Sequence, residues 1–210
     1  NFEKLREGGY TYIDKTAQIY KLATLGTYYF LSRPRRFGKS LLISTMDAYF
    51  SGKKDLFKGL AMEQLEKDWI EYPVLHLDLN TGRYIKPEDL DVVLDQHLNN
   101  WEARYGVVRK YDDSSARMND IIDAAFSKTG RKVVILIDEY DKPIVNNLGN
   151  ESLADYYRKT LQGFYSVLKA KDGQIKFGFL TGVSKIGKLS VFSALNNLKD
   201  ISMVKDYADI

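Results

Sequence analysis

Phe30-Leu31-Ser32-Arg33-Pro34-Arg35-Arg36-Phe37-Gly38-Lys39-Ser40-Leu41-Leu42 is the stretch that decides how this chain reads. An apolar run breaks into a turn of Arg, Pro and Gly, and Gly38-Lys39-Ser40 then opens an apolar helical pattern. Strand, turn and helix in that order outline a phosphate site. Backbone N–H groups and the positive end of the helix hold phosphate oxygens, a lysine reaches the β- and γ-phosphates, and a hydroxyl ligates Mg²⁺. Lys39 and Ser40 fit the last two roles. The full pattern, G-x-x-x-x-G-K-[ST], has its first glycine five residues before the second, and Arg33 stands at that place. Without a glycine there, the start of the loop cannot use positive φ freely, so Pro34, Arg35 and Arg36 must shape it differently.

Working outward, Thr27 to Leu31 is a β-branched and aromatic run expected to form a buried strand. Before it, Ile19, Leu22 and Leu25 have helical spacing that closes at Gly26, with Asp14 or Thr16 as the cap. After it, Leu41, Leu42, Ile43, Met46, Tyr49 and Phe50 give a helix with an apolar face, ending at Gly52. A mixed helical segment runs to about Trp69. Pro73 to Leu79 reads as a strand apolar on both faces, as in a parallel sheet. Pro87 suits the first turn of a helix carrying Leu90, Leu94, Leu98, Trp101 and Tyr105, and a further helix carries Met118, Ile121, Ile122, Ala125 and Phe126.

Gly130-Arg-Lys-Val-Val-Ile-Leu-Ile-Asp-Glu139 is the second strong signal. Its aliphatics, Val133 to Ile137, end in two adjacent carboxylates. Such a strand belongs at the centre of a parallel sheet, whose carboxyl edge is where ligands bind. A helix with Leu153, Tyr157, Leu161, Phe164 and Leu168 follows, then a strand from Ile175 to Leu180 with Thr181-Gly182 at its tip. The tail is less periodic. It contains Lys185, Lys188, Asn196 and Asn197, and a short strand is expected around Ile201 to Val204. The alternation predicts a doubly wound α/β sheet with right-handed crossovers.

The 210 residues suffice for one sizeable domain, and residues 1–210 are read as one, the N-terminal part of a longer protein. No apolar run approaches the ~18 to 20 residues needed to cross a bilayer. A net charge of +3 is too small to imply nucleic-acid binding by bulk electrostatics, although the pI of about 8.8 leaves room for a local basic patch. Zero cysteines exclude disulfides and thiolate metal sites and agree with a reducing, cytoplasmic setting. The chain opens on Asn1 without a basic and apolar leader, so no secretory signal is read.

The two signals support each other, because nucleoside triphosphate hydrolysis needs a phosphate cradle and a carboxylate that holds Mg²⁺. Asp138 and Ser40 are the expected metal ligands. Glu139 is the expected base for the attacking water, and Thr181, at a third strand tip, a second group to position it. The loop residues Arg35, Arg36, Phe37, Gly38, Lys39, Ser40 and Leu41 are the expected nucleotide contacts, Arg35 and Arg36 being equally compatible with a solvent-facing turn. His76 and His97 read as packing residues rather than metal ligands, since no His cluster has ligand spacing. Trp69 and Trp101 read as core or boundary residues. Asp141 reads as a cap or turn, with a second metal as the alternative.

These motifs resemble those of the bacterial AAA-ATPase-like family. Its members carry a Tyr-x-Asp-Lys-Thr segment, here Tyr12 to Thr16, and an Arg-Pro-Arg-Arg-Phe-Gly-Lys-Ser loop, here Arg33 to Ser40. They also carry an Ile-Asp-Glu-Tyr-Asp-Lys-Pro strand end, here Ile137 to Pro143. Phe57-Lys-Gly-Leu60 and Leu180-Thr-Gly-Val-Ser184 match as well, and arginine in place of the first glycine is usual in that family. The resemblance implies a P-loop ATPase core with strand order 5-1-4-3-2, and ATP and Mg²⁺ as its ligands. It implies that Tyr12 and Asp14 lie on the base side of the nucleotide, and that longer relatives often continue into a restriction-endonuclease-like domain. A neighbouring subunit often supplies an arginine finger in this class, and Arg158 is a candidate for that role. The expected partner is a homo-oligomer or a C-terminal effector domain. Two alternatives stand beside ATP hydrolysis: a module that senses nucleotide without turnover, and a nucleic-acid-binding module built on Arg33, Arg35 and Arg36.

Overall fold

A computed structural model describes residues 1–185, 192, 195, 197–208 and 210, so Lys188 and Asn196 lie outside the described residues. Five strands form one sheet in the order β2-β3-β4-β1-β5, and neighbouring strands pair in parallel. The strands are β1 (Tyr28–Ser32), β2 (Val74–Asp78), β3 (Val133–Asp138), β4 (Ile175–Gly182) and β5 (Lys199–Asp200). From the other edge this order is the expected 5-1-4-3-2. The doubly wound architecture is therefore present.

Period-two alternation sends the aliphatics of β3 to opposite faces. Val133, Ile135 and Ile137 join one core with α5 (Glu88–Tyr105), α6 (Ser114–Thr129) and α8 (Glu151–Ala170). Val134 and Leu136 join the other with α1 (Phe2–Glu7), α2 (Thr16–Leu25), α3 (Lys39–Phe50) and α4 (Ala61–Leu65). Because both faces are covered, all six residues of β3 are buried. Between β3 and α8, α7 (Lys142–Val145) is a short turn just after β3.

Helix ends follow their local chemistry. Asp113 caps α6 by accepting from Ala116 N at 2.7 Å, and Gly130 closes it at φ 63°. Asn150 caps α8 through Leu153 N at 3.2 Å. The expected strand at Ile201 to Val204 is corrected: the pairing is Tyr29 with Lys199 and Phe30 with Asp200. Asp200 Oδ1 then accepts from Ser202 N at 3.0 Å, and Ser202 Oγ accepts from Ser32 N at 2.8 Å. These bonds turn the chain out of the sheet before Ser202. Among the described residues no helix is long and apolar enough to cross a membrane.

Candidate functional site

Parallel pairing brings the carboxyl ends of β1, β3 and β4 to one edge, and the register fixes what meets there. Phe30 pairs with Leu180, which pairs with Ile137. One residue further on, the Thr181 hydroxyl donates to Asp138 Oδ1 at 2.6 Å. Asp138 is 3% exposed and Thr181 is fully buried, so this contact forms the floor of the site.

Gly38 sits at φ 78° and starts α3, a backbone conformation that a side chain would strain. Lys39 then turns inward. Its Nζ donates to Arg33 O at 2.9 Å and Pro34 O at 3.1 Å, and lies 3.1 Å from Glu139 Oε1. The two side chains are 4% and 14% exposed. Glu139 reaches this position because its backbone adopts φ 55°, which for a non-glycine residue costs about 1–3 kcal/mol. Bonds from Glu139 N to Thr181 Oγ1 (3.4 Å) and from Tyr140 N to Thr181 O (2.9 Å) hold the bend. Burial pushes the Glu139 carboxyl above its ordinary value; Lys39 opposes this, and Asp138 and Asp141 add to it.

Asp141 is fully buried and spent on structure. It accepts from Val183 N (3.2 Å), Ser184 N (2.7 Å) and Ser184 Oγ (2.8 Å), bracing the chain after β4. A Cβ on Gly182 would come within 2.5 Å of Tyr140 Cε1 and 2.7 Å of Asp141 Oδ1, so only glycine allows this approach. The turn reading of Asp141 therefore describes its bonds. Among the described residues no group of three or more His, Cys, Asp or Glu is placed to hold a metal ion.

Two cavities flank the loop. A polar cleft of about 530 Å³ is lined by Arg35, Arg36, Ser40, Asn80, Glu139 and Lys142 among others. A second, largely apolar cavity of about 370 Å³ is lined by Tyr12, Ile13, Phe37, Gly38, Leu41 and Leu42 among others. The loop separates them. A larger cavity of about 860 Å³ lies between α5, α6 and α8, away from the strand edge. Its Arg117 is held by Glu102 at 2.7 Å.

The structure thus brings Arg35, Arg36, Ser40 and Glu139 to one cleft and Tyr12, Phe37, Gly38 and Leu41 to the other. Asp14 lines neither: it accepts from Thr16 N (2.8 Å), Thr16 Oγ1 (2.6 Å) and Ala61 N (2.7 Å), tying α2 to α4. Arg158 pairs with Asp155 at 2.9 Å, one turn earlier on α8. Arg33 points to the far side of the loop, donating to Ser202 O at 2.5 Å and Tyr207 O at 3.3 Å. His76 contacts Asp47 at 3.4 Å, and His97 contacts the Asp78 carbonyl at 3.3 Å. Trp69 packs on Phe57 with ring centroids 5.3 Å apart, and Trp101 is 7% exposed. Sequence reasoning missed Asn80 and Lys142 on the cleft wall. Lys142 was visible beside the acidic strand end, but a lone Asn after β2 carries no signal.

Comparison with known proteins gives a family. The model of a family described as predicted AAA-ATPase, AAA-ATPase_like, matches residues 1–192. A protein of Azotobacter chroococcum mcd 1, described as an uncharacterized protein in the vnfD 5′ region, is 42% identical over 209 residues. That alignment takes in 99% of this chain and 40% of the relative. No solved structure matches.

Proposed function

This chain belongs to the predicted AAA-ATPase family, and we propose that it binds ATP with Mg²⁺ at the edge of β1, β3 and β4 and hydrolyses it. One observation carries the reading: Lys39 and Glu139, from separate motifs, meet at 3.1 Å beside a cleft that Ser40, Arg35 and Arg36 also line. The apolar cavity beside Tyr12, Phe37 and Leu41 suits a flat base, and the polar cleft suits phosphates. Gly38 lines the first and Ser40 the second, so a nucleotide would lie across the loop with its distal phosphates in the cleft.

Lys39 would leave its carbonyl partners for the β- and γ-phosphates, and the amides of Gly38 to Leu41 would hold the phosphate oxygens. Ser40 and Asp138 would hold Mg²⁺, since a hard cation takes oxygen donors and Asp138 already sits under the site through Thr181. Bound there, the ion neutralises charge on the β- and γ-oxygens. Glu139, released from Lys39, would accept the proton of the attacking water. Its raised pKa improves the match to that task. Thr181 would fix the Asp138 carboxylate and the Glu139 backbone. Asp14 braces helices in this reading and does not touch the nucleotide.

The hydrolytic cycle would drive a homo-oligomer or a further domain in the cytoplasm, and a chain without cysteines is in keeping with that compartment. The chain spans 40% of its relative, which leaves length for such a domain there. Calorimetry with ATP and Mg²⁺ tests the binding step: Lys39→Ala should abolish it. Glu139→Gln should keep binding and stop phosphate release. Unchanged ATP affinity in Lys39→Ala would refute the assignment.

A further inference from the structure

We propose that Lys142 contacts the terminal phosphate and lets the site distinguish a nucleoside triphosphate from a diphosphate, an inference that rests on the ATP reading above. Lys142 lies on the cleft wall with Ser40 and Glu139, and it does not line the apolar cavity on the other side of the loop. With Ser40 at the start of α3 and Glu139 at the end of β3, the far wall of this cleft is where the last phosphate would reach. A cation on that wall meets the γ-phosphate and not the base.

The way Lys142 is held supports the role. Its Nζ donates to the Asn80 carbonyl and to Asn80 Oδ1 at 2.5 Å, so two neutral oxygens from the turn after β2 fix its position. Among the described residues no carboxylate lies within ion-pairing distance of it. Lys39 is different: Glu139 Oε1 lies 3.1 Å from its Nζ. Asp141, the residue before Lys142, is committed to Val183 and Ser184 and is not spare to neutralise it. Lys142 is thus a half-buried, oriented cation with no ion-pair partner among the described residues, facing a polar cleft that carries the exposed Arg35 and Arg36 as well as Glu139 and the committed Asp141. An oriented cation at the edge of a phosphate cleft gains a charge-assisted hydrogen bond when the anion arrives. Asn80 acts as a positioning residue: it sets where that charge sits.

The test compares ADP with a non-hydrolysable ATP analogue, both with Mg²⁺, by calorimetry on the full chain. Lys142→Gln should weaken the analogue about tenfold and leave ADP within about twofold, whereas Lys39→Ala should weaken both. Lys142→Arg should recover a large part of the preference. Asn80→Ala, which keeps Lys142 but frees it, should lower the analogue-to-ADP ratio less than Lys142→Gln does. It provides the answer if Lys142→Gln fails to fold. An unchanged analogue-to-ADP ratio in these variants would overturn the role of Lys142 while leaving the ATP reading intact. A wild-type protein that binds neither nucleotide would overturn both.

Discussion

Replacing Glu139 by Gln should tighten ADP binding at neutral pH, because the phosphate lysine is paired with the protein's own carboxylate. Lys39 Nζ has three acceptors: Arg33 O at 2.9 Å, Pro34 O at 3.1 Å and Glu139 Oε1 at 3.1 Å. A phosphate must displace the carboxylate to engage Lys39 fully, and it then sits beside a second negative charge. A hydrogen bond to a charged group contributes about 1.5–3 kcal/mol and a neutral one about half as much. Losing that difference together with the Glu139–phosphate repulsion amounts to about 1–3 kcal/mol, or roughly 5- to 150-fold in affinity. Glu139 opens on the cleft, and water there screens the pair, which places the value toward the lower end.

The pH dependence gives a second handle on the same contact. Burial raises the Glu139 carboxyl above its ordinary value of 4.5 despite Lys39, so the ion pair does not repay the desolvation of the carboxylate. A raised acid pKa contributes stability that is present below 4.5 and lost as pH rises through the folded value. Protonation of Glu139 also frees Lys39. The affinity ratio between Glu139→Gln and wild type should therefore be large at neutral pH and fall toward one as pH drops into that range. Calorimetry with ADP and Mg²⁺ measures it without turnover, and taking the ratio cancels titration of ADP itself. Equal or weaker ADP binding by the Gln variant, or a ratio that ignores pH, would refute the reasoning.

Three further outcomes follow from the same geometry. Asp141→Ala removes the carboxylate that accepts from Val183 N, Ser184 N and Ser184 Oγ and should cost about 3–5 kcal/mol in chemical denaturation, with Asp141→Asn losing about half; a loss under about 1 kcal/mol would show that the loop relaxes around the gap. Arg33→Gly restores the commoner loop pattern, yet it removes the bonds to Ser202 and Tyr207 and should lower stability by about 1–3 kcal/mol, read by thermal and denaturant unfolding. His97 has its pKa lowered by burial, with His76 adding to this and the Asp78 carbonyl opposing it. Its contribution is present above 6.5 and lost as pH falls through the folded value, by at most about 1.4 kcal/mol per pH unit, and His97→Leu should remove that part of the slope in unfolding measured between pH 7 and pH 5.

The legible parts of the fold are those in which one strand or helix face is buried against a layer. The aliphatic run Val133 to Ile137 could only be a central strand, and the spacings in α3, α5, α6 and α8 show directly in their buried residues. Less legible were elements set by contacts distant in sequence. β5 is only Lys199–Asp200, too short for period-two alternation to appear, and its position depends on pairing with Tyr29 and Phe30. α1 is held by Phe2, which packs on Tyr12 and Phe57 with ring centroids 5.0 Å apart in both cases. Within the site, Lys39 and Glu139 were each singled out by type and place, but their mutual contact was not. It depends on the positive φ of Glu139, which no residue type announces.

Arg33 shows why the missing glycine does not leave the loop without guidance. In the common pattern the first glycine lets the backbone wrap freely toward the phosphates, so the loop path is set from within by backbone freedom. Here Arg33 N donates to Gly182 O at 3.1 Å, continuing the β1–β4 ladder one residue into the loop. The side chain meanwhile reaches away to Ser202 O and Tyr207 O, and Ser202 Oγ accepts from Ser32 N. Residues 199–208 thus fix the start of the loop from outside, and Ile210 lines the apolar cavity beside Tyr12 and Phe37. One segment touches both ends of the proposed nucleotide path. The arginine therefore replaces local freedom with an anchor, and a change in that segment would be felt at the loop through bonds of named length rather than through the sheet as a whole.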